Sequence, residues 1–239
     1  MTRFMAAFRR EFRVYVHSVH GWVAALCMLF IPAINQFRFG LFVEAEVLDL
    51  SRLYGSWLAV LSLVVPALTM RVCSEEKKTG IDLLLRTLPV SSSFIILVKA
   101  LAVYAFVSVF ILIDTLIPLS LSLMGDVPFG LTVSQTLGLF TVSAVLVSLG
   151  VFVSSLTRSQ LVALLGSLFL FALLSYADSL VQMAGLPSEL IRVSRQFSLE
   201  YRFTPFIQGM IDGNALFYFA GLSAVLLRMA VHAYESRRY

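Results

Sequence analysis

The chain alternates long apolar runs with short polar breaks, and the runs dictate the architecture. Six of them read as helices: residues 19–41, 52–72, 96–123, 134–155, 160–176 and 213–232. Each approaches the ~20 residues that cross about 30 Å of hydrocarbon. The N-terminal stretch carries a different pattern. Phe4, Phe8, Phe12 and Tyr15 recur at helical spacing on one side, with Arg9, Arg10 and Arg13 around the other. This predicts a helix lying at the membrane interface, or a basic flank that only fixes topology. Between the fifth and sixth runs, residues 177–212 keep many apolar positions, among them Leu186, Leu190, Phe197, Leu199, Phe203 and Phe206. A disordered loop would not hold so many. The segment is expected to cap the outer mouth of a helix bundle or dip into it, with a short helix capped by Ser188.

The polar break from Arg71 to Ser91 is the most informative one. Ile81, Leu84, Leu85 and Leu88 recur at i, i+3, i+4 and i+7, one stripe of a helix. Lys78 with Asp82, and Asp82 with Arg86, are spaced to pair along the polar side. Thr79 and Asp82 read as a cap and its acidic partner, and Pro89 closes the element. A short amphipathic helix at the cytoplasmic mouth suits contact with a soluble partner.

Composition and charge sharpen this picture. Hydrophobic residues make up 59% of the 239 and charged ones 13%, for a mean hydropathy of +0.90. A soluble domain of this size needs more polar cover. The 20 Phe against 2 Trp suit lipid better than stacked bases. Net charge is +4, with no basic-aromatic run that would track a nucleic acid. With six spans, both termini, residues 71–99 and the 157–160 turn share a side and hold 13 of the 18 Lys and Arg. The other side holds Arg38, Arg52, Arg192, Arg195 and Arg202 together with eight acids, Glu44 and Glu189 among them. The positive-inside rule therefore places both termini in the cytoplasm.

Candidate chemistry is sparse. No Gly-rich phosphate loop exists and no Lys follows a Gly, so an ATP-driven process needs its ATPase elsewhere. His17, His20 and His232 lack the convergence of a metal site, and no catalytic serine pairing is evident. Ser91–Ser93 reads as a helix cap. Cys27 and Cys73 read as small hydrophobes rather than a disulfide. Asp114 stands alone in the third span, where a charge marks a polar path or a helix contact. Asn35, Gln36 and Arg38 end the first span, placed to meet Asp114 or Asp212. With Phe203 and Phe206, Asn35, Gln36, Asp114 and Asp212 form the candidate path or outer gate; the two Phe alternatively anchor the cap in lipid headgroups. Gly138, Ser143, Ser148, Gly150, Ser154 and Ser155 make the fourth span a close-packing seam, between subunits or within one. Pro32, Pro66 and Pro118 are expected to kink or hinge their spans.

Three stretches resemble the membrane subunits of ABC-2 class ATP-binding-cassette transporters, most closely the GldF/NosY-type permeases. The first runs from Glu75-Glu76-Lys77-Lys78-Thr79-Gly80-Ile81-Asp82 through Thr87-Leu88-Pro89 to Lys99 and is similar to the coupling-helix signature. The second is Gly150 to Gln160, with Ser159 where the family often has Asn. The third spans Phe203 to Asp212, then Tyr218 and the terminal Glu235 to Tyr239. Ser92 stands where the family usually has Arg or Lys. The resemblance implies a single transmembrane domain over residues 1–239: an all-α bundle of six transmembrane helices with an interfacial helix, a coupling helix and an outer re-entrant or capping segment. It implies a permease subunit in a bacterial cytoplasmic (inner) membrane. A second copy would form a homodimer with it, surrounded by membrane lipid, and there is room for an extracytoplasmic accessory protein. ATP and Mg would sit in a separate ATP-binding subunit, touched by Glu75, Glu76, Gly80, Asp82, Leu84, Leu85, Arg86 and Leu88. The expected activity is export of a substrate that the resemblance does not identify; the mixed polar, acidic and aromatic candidate gate residues suit an amphipathic one. The alternative is a mechanotransmission or scaffold subunit that moves nothing.

Overall fold

Helix-forming sequence dominates wherever the chain is placed. The computed structural model describes residues 2–39, 51–80, 91–121, 129–183, 185 and 188–236. Of these, 92% are helical and none lies in a strand. The helices are α1 (Thr2–Val16), α2 (Val19–Phe39), α3 (Ser51–Thr79), α4 (Ser92–Asp114), α5 (Leu116–Leu121), α6 (Phe129–Leu156), α7 (Gln160–Ser175), α8 (Ala177–Met183), α9 (Ser188–Phe197), α10 (Leu199–Ile207) and α11 (Gly213–Glu235).

Among the described residues, four stretches are long and apolar enough to cross a membrane: Tyr54–Thr79, Ser92–Leu119, Phe129–Leu156 and Gly213–Glu235. Two bent pairs bring the count to as many as six if each pair is one span. Phe4–Val16 meets Val19–Asn35 at 73°, and Gln160–Ser175 meets Ala177–Met183 at 66°. By length and composition these apolar helices are compatible with a multi-pass membrane protein.

The second span differs from its expected form. It does not stop at residue 72 but continues as helix through the polar residues to Thr79. Glu and Lys are good helix formers, and the turn after Met70 keeps buried contacts. Thr79 is therefore the last helical residue, not an N-cap: its hydroxyl donates back to the Glu75 carbonyl at 2.9 Å. Gly80, at φ +75°, ends the helix in the left-handed conformation that glycine tolerates. The third span also departs from a single rod. It starts at Ser92, with Ser91 as N-cap, and breaks at Thr115. Pro118 supplies no N–H for the Asp114 carbonyl, and its ring crowds that group.

Helix α6 is the hub, packing on α3, α4, α7, α10 and α11. Its apolar window is 67% buried, against 22% for α11 at the edge. Small residues make this position attainable. A Cβ at Gly150 would stand 2.0 Å from the Thr69 hydroxyl of α3, so the two backbones nearly touch there. Ser143, Ser148, Ser154 and Ser155 are all buried. Ser143, Ser148 and Ser155 return their hydroxyls to carbonyls one turn earlier in α6. In this chain the seam is filled from within.

Candidate functional site

Two buried polar clusters occupy opposite ends of the bundle. The first lies where α3 emerges toward residue 80. Lys99, 5% exposed on α4, donates to the Val72 carbonyl at 2.9 Å and forms an ion pair with Glu76. Lys77, next along α3, donates to the Ser155 carbonyl at the end of α6. Its ammonium also sits 5.9 Å from the ring centre of buried Tyr234 on α11. One turn deeper, the Ser154 hydroxyl inserts into the α3 ladder. It donates to Met70 O at 3.2 Å and accepts from Cys73 N at 3.1 Å and Ser74 N at 3.2 Å. Thus α3, α4, α6 and α11 are joined within about two turns of the segment that begins at residue 81. The electrostatic logic is compact. A lysine in an apolar span is costly unless oxygen acceptors receive it, and Lys99 has a carboxylate and a carbonyl.

This joint includes Glu76 from the expected coupling set. Glu75 is exposed on α3 and Gly80 is its terminal glycine. Asp82, Leu84, Leu85, Arg86 and Leu88 lie outside the described residues. The contacts of Lys77 and Lys99 were not foreseen. Part of their signal was present in the sequence, since Lys99 interrupts the run Phe94 to Tyr104, but Asp82 and Asp114 stand nearer to it along the chain than Glu76 does.

The second cluster lies at the opposite end. Trp57 of α3 donates its indole N–H to Asp114 Oδ2 at 2.5 Å, and Tyr54 stands within electrostatic reach of the same carboxylate. Asp114 is 2% exposed, so it faces the protein interior. Phe203 and Phe206 of α10 are fully buried, seated on α6 where a Cβ at Gly138 would lie 2.7 Å from Phe206 Cβ. The last carbonyls of α10 are held by α6: Ser134 donates to Phe206 O at 3.3 Å and Gln135 to Ile207 O at 2.8 Å. At its start, Ser198 caps α10 and donates to the Ser175 carbonyl of α7 at 2.8 Å. Asp212 caps α11, accepting from Asn214 N at 2.9 Å. Of the expected gate residues, Asp114, Phe203 and Phe206 thus meet the α3–α6 core. Asp212 serves its own helix, and Asn35 is half-buried on α2. The side chain of Gln36 lies outside the described ones.

A cleft of about 390 Å³ opens beside this cluster, lined by Thr115, Pro118, Leu119, Phe129, Thr136 and their neighbours on α5 and α6. Among the described residues no group of three or more His, Cys, Asp or Glu is placed to hold a metal. Cys27 and Cys73 are both free thiols. No known family model matches the chain, and no curated protein matches it.

Proposed function

We propose that this chain is the membrane-spanning permease subunit of an ABC-2 type exporter, driven by a separate ATP-binding subunit. The observation that carries the reading is the joint at the end of α3. The amphipathic stripe Ile81, Leu84, Leu85 and Leu88 follows directly on a helix whose final turns are tied to α4, α6 and α11. A push delivered to residues 81–90 would enter four helices at once instead of bending one loop. The apolar helices supply the membrane path, and the absence of a phosphate loop from the sequence leaves ATP and Mg to the partner. In this reading a second copy completes the route, and Asp114 with the α10 lid sits at its outer end.

The test is co-expression with a candidate ATP-binding-cassette subunit, followed by co-purification and ATP hydrolysis in nanodiscs. Complex formation is expected in the native chain. Leu84→Asp places a carboxylate in the docking stripe, at a cost of several kcal/mol if unpartnered, and is expected to abolish association while membrane insertion persists. Equal yield and equal hydrolysis from both chains would overturn the assignment of the docking segment.

A further inference from the structure

Helix α1 does not spend its aromatic side on lipid. Phe4 packs edge-on against Phe94 of α4 at 5.8 Å, and Phe12 and Tyr15 meet Phe106 at 6.3 and 5.8 Å. The helix therefore lies along the first half of α4 with its apolar stripe docked on protein. What it turns outward is Arg9, Arg10 and Arg13, all exposed. Arg10 pairs with Glu11 at 2.6 Å. The side chains of Arg9 and Arg13 have no hydrogen bond or ion pair among the described residues. The three arginines line a concavity of about 550 Å³ with Ala6 and Val14.

We propose that this arginine face is a binding surface for the phosphate group of an anionic phospholipid. Three observations select a lipid over a soluble acidic partner. The first is height along the bundle. Glu11 stands within electrostatic reach of Lys99, and Arg10 of Glu76, so the face sits level with the charged end of the spans, where headgroups lie. The second is the neighbouring surface. Met5 and Val14, 47% and 58% exposed, flank the arginines, as befits the junction between a headgroup and its acyl chains. The third is Trp22, 61% exposed on α2, an interfacial anchor less than three turns beyond Arg13. Guanidinium groups bind phosphate oxygens in a bidentate fork, and two uncompensated ones at this level supply both charge and geometry. Bound lipid would press α1 onto Phe94 and Phe106, completing a helix that its own chain covers on one side only. This surface requires a bilayer but not transport, so its failure would leave the permease reading untouched.

The experiment uses the full chain, delipidated in detergent, and titrates phosphatidylglycerol, phosphatidylcholine or inorganic phosphate. Bound lipid is read by native mass spectrometry and the melting temperature by scattering. Phosphatidylglycerol is expected to bind at least about tenfold more tightly than phosphatidylcholine and to raise the melting temperature, with the preference shrinking at high salt. The double variant Arg9→Gln/Arg13→Gln should lose the preference while its melting temperature in phosphatidylcholine is unchanged. Arg9→Lys/Arg13→Lys should retain most of it. Should the Gln variant fail to fold, the salt dependence in the native chain still decides. Equal binding of the two lipids, or a preference indifferent to salt, overturns the proposal. So does a preference that survives in a folded Gln variant. An equal response to inorganic phosphate would assign the face to a free anion instead. Loss of a co-purified protein with lipid binding intact would assign it to that partner.

Discussion

Lys99 shows how one side chain can decide the local order of a membrane bundle. Its ammonium is buried, and the two acceptors it uses, Val72 O and Glu76, both belong to α3. Replacing it by Met leaves the Glu76 carboxylate without its ion-pair partner, with Arg10 within electrostatic reach. Removing one partner of a buried pair is strongly destabilising. The Glu76 side chain keeps 18% exposure, so the loss for Lys99→Met is expected near 2–3 kcal/mol rather than at the top of that range. Thermal melts in detergent should show it, and adding Glu76→Gln should recover much of the loss. If the single and double variants melt together, the ion pair does not organise this end. Lys99 was visible in the sequence as an oddity in a greasy run. Its partner was not, because the choice between Glu75 and Glu76 depends on helical phase carried across the bend of the chain.

Most helices were legible because membrane spans are written in long runs. The first, fourth and sixth begin or end within a few residues of their expected limits. The sequence expectation and the structure part where polar residues suggest the end of an element. Residues 74–79 look like a break, yet they stay helical because their polar groups find partners in α4 and α6. The sequence predicts one capping segment with a single short helix where the structure has the pair α9 and α10. Ser198 separates the two by capping α10, and a lone serine among many gives no such warning in sequence. Helix α10 owes its seat to the absence of a side chain at Gly138. Gly138→Ala would bring a methyl within 3 Å of Phe203 and Phe206. This overpacking is expected to cost about 1–3 kcal/mol. Gly130→Ala, at a position with open space around it, should be neutral or slightly stabilising. A comparison of the two melting temperatures checks the α6–α10 contact, and matched values would contradict it.

The assembled bundle has a charged end and a lidded end. Residues 75–80 lie at one, beside Ser155 and Tyr234. The α10 segment and Asp114 lie at the other, around the first turns of α6 and α3. A chain that crosses a bilayer must put these ends in different compartments. Single cysteines at exposed Lys78 and Arg192, in a background lacking Cys27 and Cys73, are expected to react with an impermeant maleimide from opposite sides. Position 78 should be the one protected in intact cells. Labelling of both from one side would remove the crossing assigned to the bent pair Gln160–Ser175 and Ala177–Met183.

The Glu76–Lys99 pair also closes a ring of chain, since its members stand 23 residues apart. Bringing the ends of a free loop of that length together costs roughly 3 kcal/mol of entropy, a factor of about 100 in an equilibrium constant. Folding has already met that cost before any partner arrives. A protein that gripped residues 81–90, as the proposed ATP-binding partner would, is expected to bind them more tightly than the same peptide cut loose.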